Sequence, residues 1–108
     1  MNEVKRQFFI EGYVTGESGR HTVIGRNGDM PIRIGDIFTV VARYRPRRYP
    51  DDSNKQPEIE VKKAVGLRVT CLHAYEQSLD ELGEGTTGSV ALEGEGADRL
   101  GPGWVLEA

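Results

Sequence analysis

From Glu58 to His73 the chain alternates with a period of two. Ile59, Val61, Val65, Leu67, Val69 and Cys71 take odd positions, where only Lys63 interrupts them. Glu60, Lys62, Ala64, Gly66, Arg68 and Thr70 take the even positions and are followed by Leu72. Successive side chains of a strand point to opposite faces, so this pattern predicts one long strand whose odd face is buried, Cys71 included. Gly66 at its middle permits the bend or bulge that a sharply curved strand needs. On a helix the same apolar residues would scatter around the whole circumference.

Shorter runs flank it. Phe8 to Thr15 reads as a strand with Phe8, Ile10 and Val14 on one side of the pleat, and Ile37 to Ala42 reads as another. His21–Arg26 and Pro31–Ile34 bracket Asn27-Gly28-Asp29, which predicts a hairpin because Asn and Gly tolerate positive φ. Ser89–Leu92 and Trp104–Leu106 are short strands set off by glycines, and Gln77–Leu82 is the one stretch that could form a helical turn. The segment Arg43–Pro57 breaks the pattern. Its three prolines remove backbone donors, which predicts a long loop. The whole reads as an all-β, closed barrel in a single domain over residues 1–108, with 43–57 inserted as an Arg/Tyr/Pro-rich loop.

Composition agrees with that reading. Fourteen of 108 residues are glycine, nearly twice the usual share of about 7 %, and no three-residue glycine period makes them collagenous. The net charge is -3. Residues 1–75 carry 13 basic and 9 acidic side chains, whereas residues 76–108 carry 1 basic and 8 acidic. Such asymmetry is the mark of two different binding faces when the halves stay apart in space. One cysteine rules out an intrachain disulfide. No apolar run approaches the ~20 residues of a membrane helix, and no apolar segment follows the charged N-terminus as in a secretory signal. A cytoplasmic protein without membrane contact is the expectation.

Few residues carry obvious chemistry. Gly83-Glu84-Gly85-Thr86-Thr87-Gly88 spells the dinucleotide fingerprint Gly-x-Gly-x-x-Gly, but a strand follows it in place of a helix, and Glu84 repels phosphate. Cys71 and His73, two apart, share a strand face and invite comparison with a Cys–His nucleophile or metal pair. Ligand-spaced clusters are absent, and a core thiol fits the apolar face better. The loop is sharper. Arg43, Arg45, Arg47 and Arg48 alternate with Tyr44 and Tyr49, and arginine forks grip phosphate or carboxylate while tyrosines stack. Asp51 and Asp52 follow directly, and the acidic whole argues against a dedicated nucleic-acid domain. Trp104, after Gly101-Pro102-Gly103, fits a core or rim aromatic.

Several of these segments occur in the order of a known family. Ser18-Gly19-Arg20-His21-Thr22-Val23-Ile24-Gly25-Arg26 is similar to the Gly-Arg-Gly-Thr-Val…Gly-Arg segment that opens the second-domain barrel of elongation factor Tu. Pro31-Ile32-Arg33-Ile34-Gly35-Asp36-Ile37-Phe38 resembles its Ile-Lys-Val-Gly-Asp-x-Val segment. Thr70 to Glu81, ending Leu79-Asp80-Glu81, resembles its Thr-Gly-Val…Leu-Asp-Glu stretch. Val90-Ala91-Leu92-Glu93-Gly94 and Asp98 to Leu106 track its Val-x-Leu-Arg-Gly…Arg-Gly-x-Val-Leu ending. The resemblance implies a six-stranded antiparallel β-barrel of the kind found in translational GTPases, where it packs on a GTPase domain and helps to hold the aminoacyl end of tRNA. It also implies a pocket at His73, Glu76 and Thr87, where the family carries a Glu, often an Arg, and an Asn. An imidazole for a carboxylate and an anion for a cation change that chemistry, so the fold carries over and the ligand does not. No Gly-x-x-x-x-Gly-Lys-Ser/Thr occurs, which excludes P-loop chemistry from this sequence.

The expectation is therefore a non-catalytic barrel module that needs no cofactor, metal or nucleotide. It would bind a protein partner, or RNA, of the translation apparatus through Arg43, Tyr44, Arg45, Arg47, Arg48 and Tyr49. The alternative is a small acidic inhibitor or immunity-type protein that uses the barrel as scaffold.

Overall fold

The computed structural model describes residues 6–15, 21–44, 59–97 and 100–108. Nine strands follow one another: β1 (Gln7–Thr15), β2 (His21–Asn27), β3 (Ile32–Arg33), β4 (Ile37–Tyr44), β5 (Ile59–Ala74), β6 (Gln77–Leu79), β7 (Glu81–Leu82), β8 (Thr87–Glu95) and β9 (Trp104–Glu107). Every pairing is antiparallel. The main sheet runs β4-β9-β1-β2-β8-β5-β6, and an added β4–β5 pairing closes it. Six strands form the ring, and β6 hangs from one end of β5. Closure removes the open sheet edges that would otherwise invite pairing with another chain.

The core is the apolar half of the alternation folded inward. Phe8, Val23, Ile32, Phe38, Val41, Leu67, Leu72, Leu82, Val90, Leu92 and Leu106 are fully buried, each side chain contributing about 1.5–3 kcal/mol. Register shows how they meet. Leu79, Leu72, Val90, Val23 and Tyr13 stand opposite one another across β6, β5, β8, β2 and β1. The next row, Ser78, His73, Ser89, Ile24 and Gly12, faces outward.

The long strand is where sequence and structure diverge most usefully. Its extent matches the alternation, and opposite β4 one extra β5 residue falls between Ala64 and Leu67, a bulge beside Gly66. A second bulge falls between Val69 and Cys71, where β5 advances two residues against one on β8. The extra residue is Thr70, whose Oγ1 lies 3.3 Å from the Ala91 carbonyl. A one-residue insertion reverses the faces of all that follows. Leu67 and Val69 point inward, and beyond the bulge Leu72 and Ala74 do so. Cys71 and His73 are therefore outward, and the core position expected for Cys71 belongs to Leu72.

Three further expectations change. Gln77–Leu82 forms no helical turn: Gln77–Leu79 pairs with β5 as β6, and Glu81–Leu82 pairs with β3 as β7. Arg43 and Tyr44 are the last residues of β4, not the first of a loop, because β4 continues to pair with β5 and, through Arg43, with β9. The remaining loop residues, 45–57, lie outside the described residues. Asn27-Gly28-Asp29 makes no hairpin: β2 pairs with β1 and β8, while β3 pairs with β7. Asn27 is the buried end of β2. Its Nδ2 donates to the carbonyls of Met30 (2.7 Å), Leu82 (2.9 Å) and Gly83 (3.1 Å). That side chain pins the β3–β7 ribbon, with its buried Ile32 and Leu82, beneath the barrel.

Candidate functional site

The one two-residue hairpin seen among the described residues joins β5 to β6. Ala74 pairs with Gln77, and between them Tyr75 and Glu76 both sit in the left-handed region, at φ 53° and 61°. Both central residues of a type I′ turn require positive φ, which matches the twist of the flanking strands. Residues with a Cβ are strained there by about 1–2 kcal/mol each. The turn holds Tyr75 out in solvent, 82 % exposed.

At the base of this hairpin His73 faces outward between Ser78 of β6 and Ser89 of β8. Its Nε2 lies 3.3 Å from Ser78 Oγ, and its Nδ1 lies 3.8 Å from Cys71 Sγ. A Cβ on Gly88 would stand 2.6 Å from the His73 carbonyl, so only glycine lets β8 pass here. Thr87, exposed, begins β8 opposite Arg26 of β2. His73, Glu76 and Thr87 thus share one end of the barrel: strand base, hairpin turn and the start of the neighbouring strand. Among the described residues no hydrogen bond joins the three. Sequence reading missed Ser78, Tyr75 and the outward turn of Cys71, because nothing in the alternation marks a bulge at Thr70.

The other proposed surface starts at the end of β4. Tyr44 is half-buried, and its hydroxyl donates to Glu107 Oε2, which also accepts from Gln7 Nε2 at 2.7 Å. Burial first, then the bond to Glu107 and its charge, pushes the Tyr44 phenol up to about 12. Tyr44 therefore clasps β4 to β9 and β1 rather than offering a free ring. Arg43 is exposed, opposite Val61 of β5 and Trp104 of β9. Trp104 is half-buried and packs on the core as a rim aromatic. Arg45, Arg47, Arg48 and Tyr49 lie outside the described residues.

The glycine-rich run is a turn into β8. The Gly85 amide donates to the carbonyls of Asn27 (3.1 Å) and Gly28 (3.0 Å), and the Thr86 amide donates to Gly83 (3.2 Å). Amides already bonded cannot cradle a phosphate. The adjoining cleft of about 400 Å³ is lined by Phe9, Arg26, Asn27, Gly28, Asp29, Glu84 and Gly85, so two carboxylates face its one arginine. Among the described residues no group of three or more His, Cys, Asp or Glu is close enough to hold a metal ion, and no helix is long and apolar enough to cross a membrane.

This is a closed six-stranded barrel of the type that serves as a domain in translation factors. The chain is similar to translation elongation factor SelB from Methanococcus maripaludis, both in its apo form and in complex with the GTP analogue GppNHp. Each comparison has a TM-score of 0.68 and 15 % sequence identity, and covers 99 % of this chain and 19 % of the other. The chain thus spans about a fifth of the factors it resembles. No family model and no curated protein matches the sequence.

Proposed function

We propose that the chain is a non-catalytic barrel module that binds a macromolecular partner of the translation apparatus, a protein or an RNA, through the arginine-rich segment that continues β4. The observation that carries this is the likeness of 99 % of the chain to part of a translation elongation factor. The contact surface rests on the four arginines between 43 and 48. Arg43 is exposed at the barrel rim, and Tyr44 anchors the end of β4 to Glu107. Arginine forks suit phosphates and carboxylates alike, so the residue types fit either class of partner.

The acidic-inhibitor reading draws on the C-terminal third. There Glu107 is buried against Tyr44 and Gln7, Glu81 lies 2.9 Å from Arg33 and Glu93 lies 3.9 Å from Arg68. Glu107 is thus committed inside the fold, and Glu81 and Glu93 each lie beside an exposed arginine of the same chain, which leaves fewer unpaired carboxylates for a basic ligand.

Capture of partners on the immobilised chain from native lysate, with and without nuclease, tests the proposal. Translation components should be retained by the wild type and lost from Arg45→Ala/Arg47→Ala/Arg48→Ala. Nuclease sensitivity would assign the contact to RNA. Undiminished capture by the triple variant would remove the segment from the interface.

A further inference from the structure

Cys71 is the single cysteine of the sequence, and no role described so far uses it. The Thr70 bulge turns it to the outer face of β5, where it is half-buried. Its Sγ lies 3.8 Å from Nδ1 of His73, and the far ring nitrogen, Nε2, lies 3.3 Å from Ser78 Oγ on β6. When Nε2–H donates to the serine hydroxyl, the ring is held in the tautomer whose Nδ1 lone pair faces the thiol. Thiol, base and orienting hydroxyl then follow one another in the order that activates a nucleophile.

The surroundings leave the imidazole as the proton acceptor. Opposite Cys71 on β8 stands Ala91, and opposite His73 stand Ser89 and Ser78, none of which ionises near neutral pH. Arg68 and Glu93, further along the same ladder, are directed to each other at 3.9 Å. Glu76 lies beyond His73 in the hairpin turn.

We propose that Cys71 is a site of reversible thiol–disulfide exchange with low-molecular-weight disulfides, with His73 as its base and Ser78 as a positioning residue. His73 Nδ1 takes the thiol proton, and the thiolate attacks one sulfur of the disulfide. The new S–S bond forms as the old one breaks, and the departing thiolate takes the proton from the imidazolium to leave as a thiol. One disulfide is consumed, and one mixed disulfide and one thiol are formed, with the disulfide itself as oxidant. No second cysteine in this sequence can displace the adduct, so it persists until an external thiol removes it. Its place beside the β5–β6 hairpin would add bulk to the end of the barrel that holds Tyr75 and Glu76.

The test uses the folded full chain and the chromogenic disulfide 5,5′-dithiobis(2-nitrobenzoate), with one thiol per chain to report. At pH 7 the native rate should equal or exceed that of the denatured chain, although the sulfur is half-buried. His73→Gln should slow the native reaction about tenfold, and Ser78→Ala about threefold. Both deficits should close above about pH 9, where hydroxide ionises an ordinary thiol unaided. A purely packing role would leave the ratios constant with pH, and that outcome overturns the assignment. So does an unchanged rate in His73→Gln. His73 and Ser78 are both exposed, and thermal melts check that each variant folds; should His73→Gln fail to fold, Ser78→Ala carries the same test. Incubation with oxidised glutathione should add one glutathionyl group to the wild type by intact mass and none to Cys71→Ser. An unmodified wild type would refute the exchange.

Discussion

Two turns of this barrel contradict their own sequences in opposite ways. Asn27-Gly28 carries the strongest short-range hairpin signal in the chain, yet β2 and β3 do not pair. Tyr75-Glu76 carries no such signal, yet it forms a two-residue hairpin with both residues at positive φ. The difference lies in what each side chain does. Asn27 acts through its amide, bonding three carbonyls of segments that are distant in sequence or beyond the turn. At Tyr75-Glu76 the backbone geometry is imposed by the register of the strands on either side, and the side chains are left to solvent. A turn signal states what the backbone tolerates. Tertiary partners decide whether that tolerance is used.

The comparison breaks most easily at Asn27. Alanine there leaves the carbonyls of Met30, Leu82 and Gly83 without their donor, in a place only 1 % exposed. Two unsatisfied groups at about 1–3 kcal/mol each make a loss of about 2–6 kcal/mol. A domain of this size shifts by roughly 4–8 °C per kcal/mol, so a melt followed by circular dichroism should fall by about 8 °C or more. Asn27→Asp keeps the shape but sets an acceptor against acceptors, and should be at least as damaging. Asn27→Gly is the discriminating variant. If it melted like wild type, Asn27 would be serving the turn after all, and the contrast between the two turns would disappear.

At the other turn the expected sign reverses. Glu76→Gly places at φ 61° the residue with no Cβ to strain, which relieves about 1–2 kcal/mol. Greater freedom in the unfolded chain returns part of that, about 0.5–1 kcal/mol. A net gain of about 0.5–1 kcal/mol, or roughly 2–8 °C in the melt, is expected with Tyr75 and its exposure retained. Tyr75→Asn/Glu76→Gly should gain somewhat more. A loss in either variant would show that the Glu76 side chain contributes contacts that outweigh its strain.

The same contrast explains how much of the molecule was legible in the sequence. The barrel was, because burial on one face writes a period of two, and Phe8, Ile10, Leu67 and Val69 are buried on the faces that period assigns them. Gly66 was legible as the place of a bulge. Thr70 was not: a β-branched polar residue in mid-strand looks like any outward position, and only its pairing with β8 shows the extra residue. That one residue turns Cys71 and His73 together to the outer face, where Ser78 of β6 adjoins them, so the Cys71–His73–Ser78 line was hidden by an error of phase. His73, Glu76 and Thr87 were singled out by resemblance alone; they lie at one end of the barrel, and no hydrogen bond among the described residues joins them. Arg43 and Tyr44 were read as loop because the prolines that follow dominate the local composition. The strand continues past Ala42 because Tyr44 gains Glu107.

The smallest effect sharpens the comparison furthest. Gly28 looks indispensable if Asn27-Gly28 is a turn, because left-handed backbone would penalise any Cβ. Here Gly28 has no positive φ, and its amide bonds to the Gln7 carbonyl at 2.8 Å as an extension of the sheet. What an alanine would meet is contact, not backbone strain: the Gln7 carbonyl at 3.1 Å, and Gln7 Cβ and Phe9 Cε2 each at 3.4 Å. Relief of that crowding needs a shift of a few tenths of an ångström at a barrel rim, next to the open cleft that Phe9 helps to line. Against it stands the unfolded-state entropy removed by alanine, about 0.4–1 kcal/mol in favour of folding. The two nearly cancel, and Gly28→Ala should change stability by less than about 0.5 kcal/mol, within a few degrees in the melt. A loss above about 1.5 kcal/mol would mean that the rim cannot yield and that Gly28 is held by close packing. Either result assigns the glycine to its neighbours, because the penalty of a left-handed turn has no backbone here on which to act.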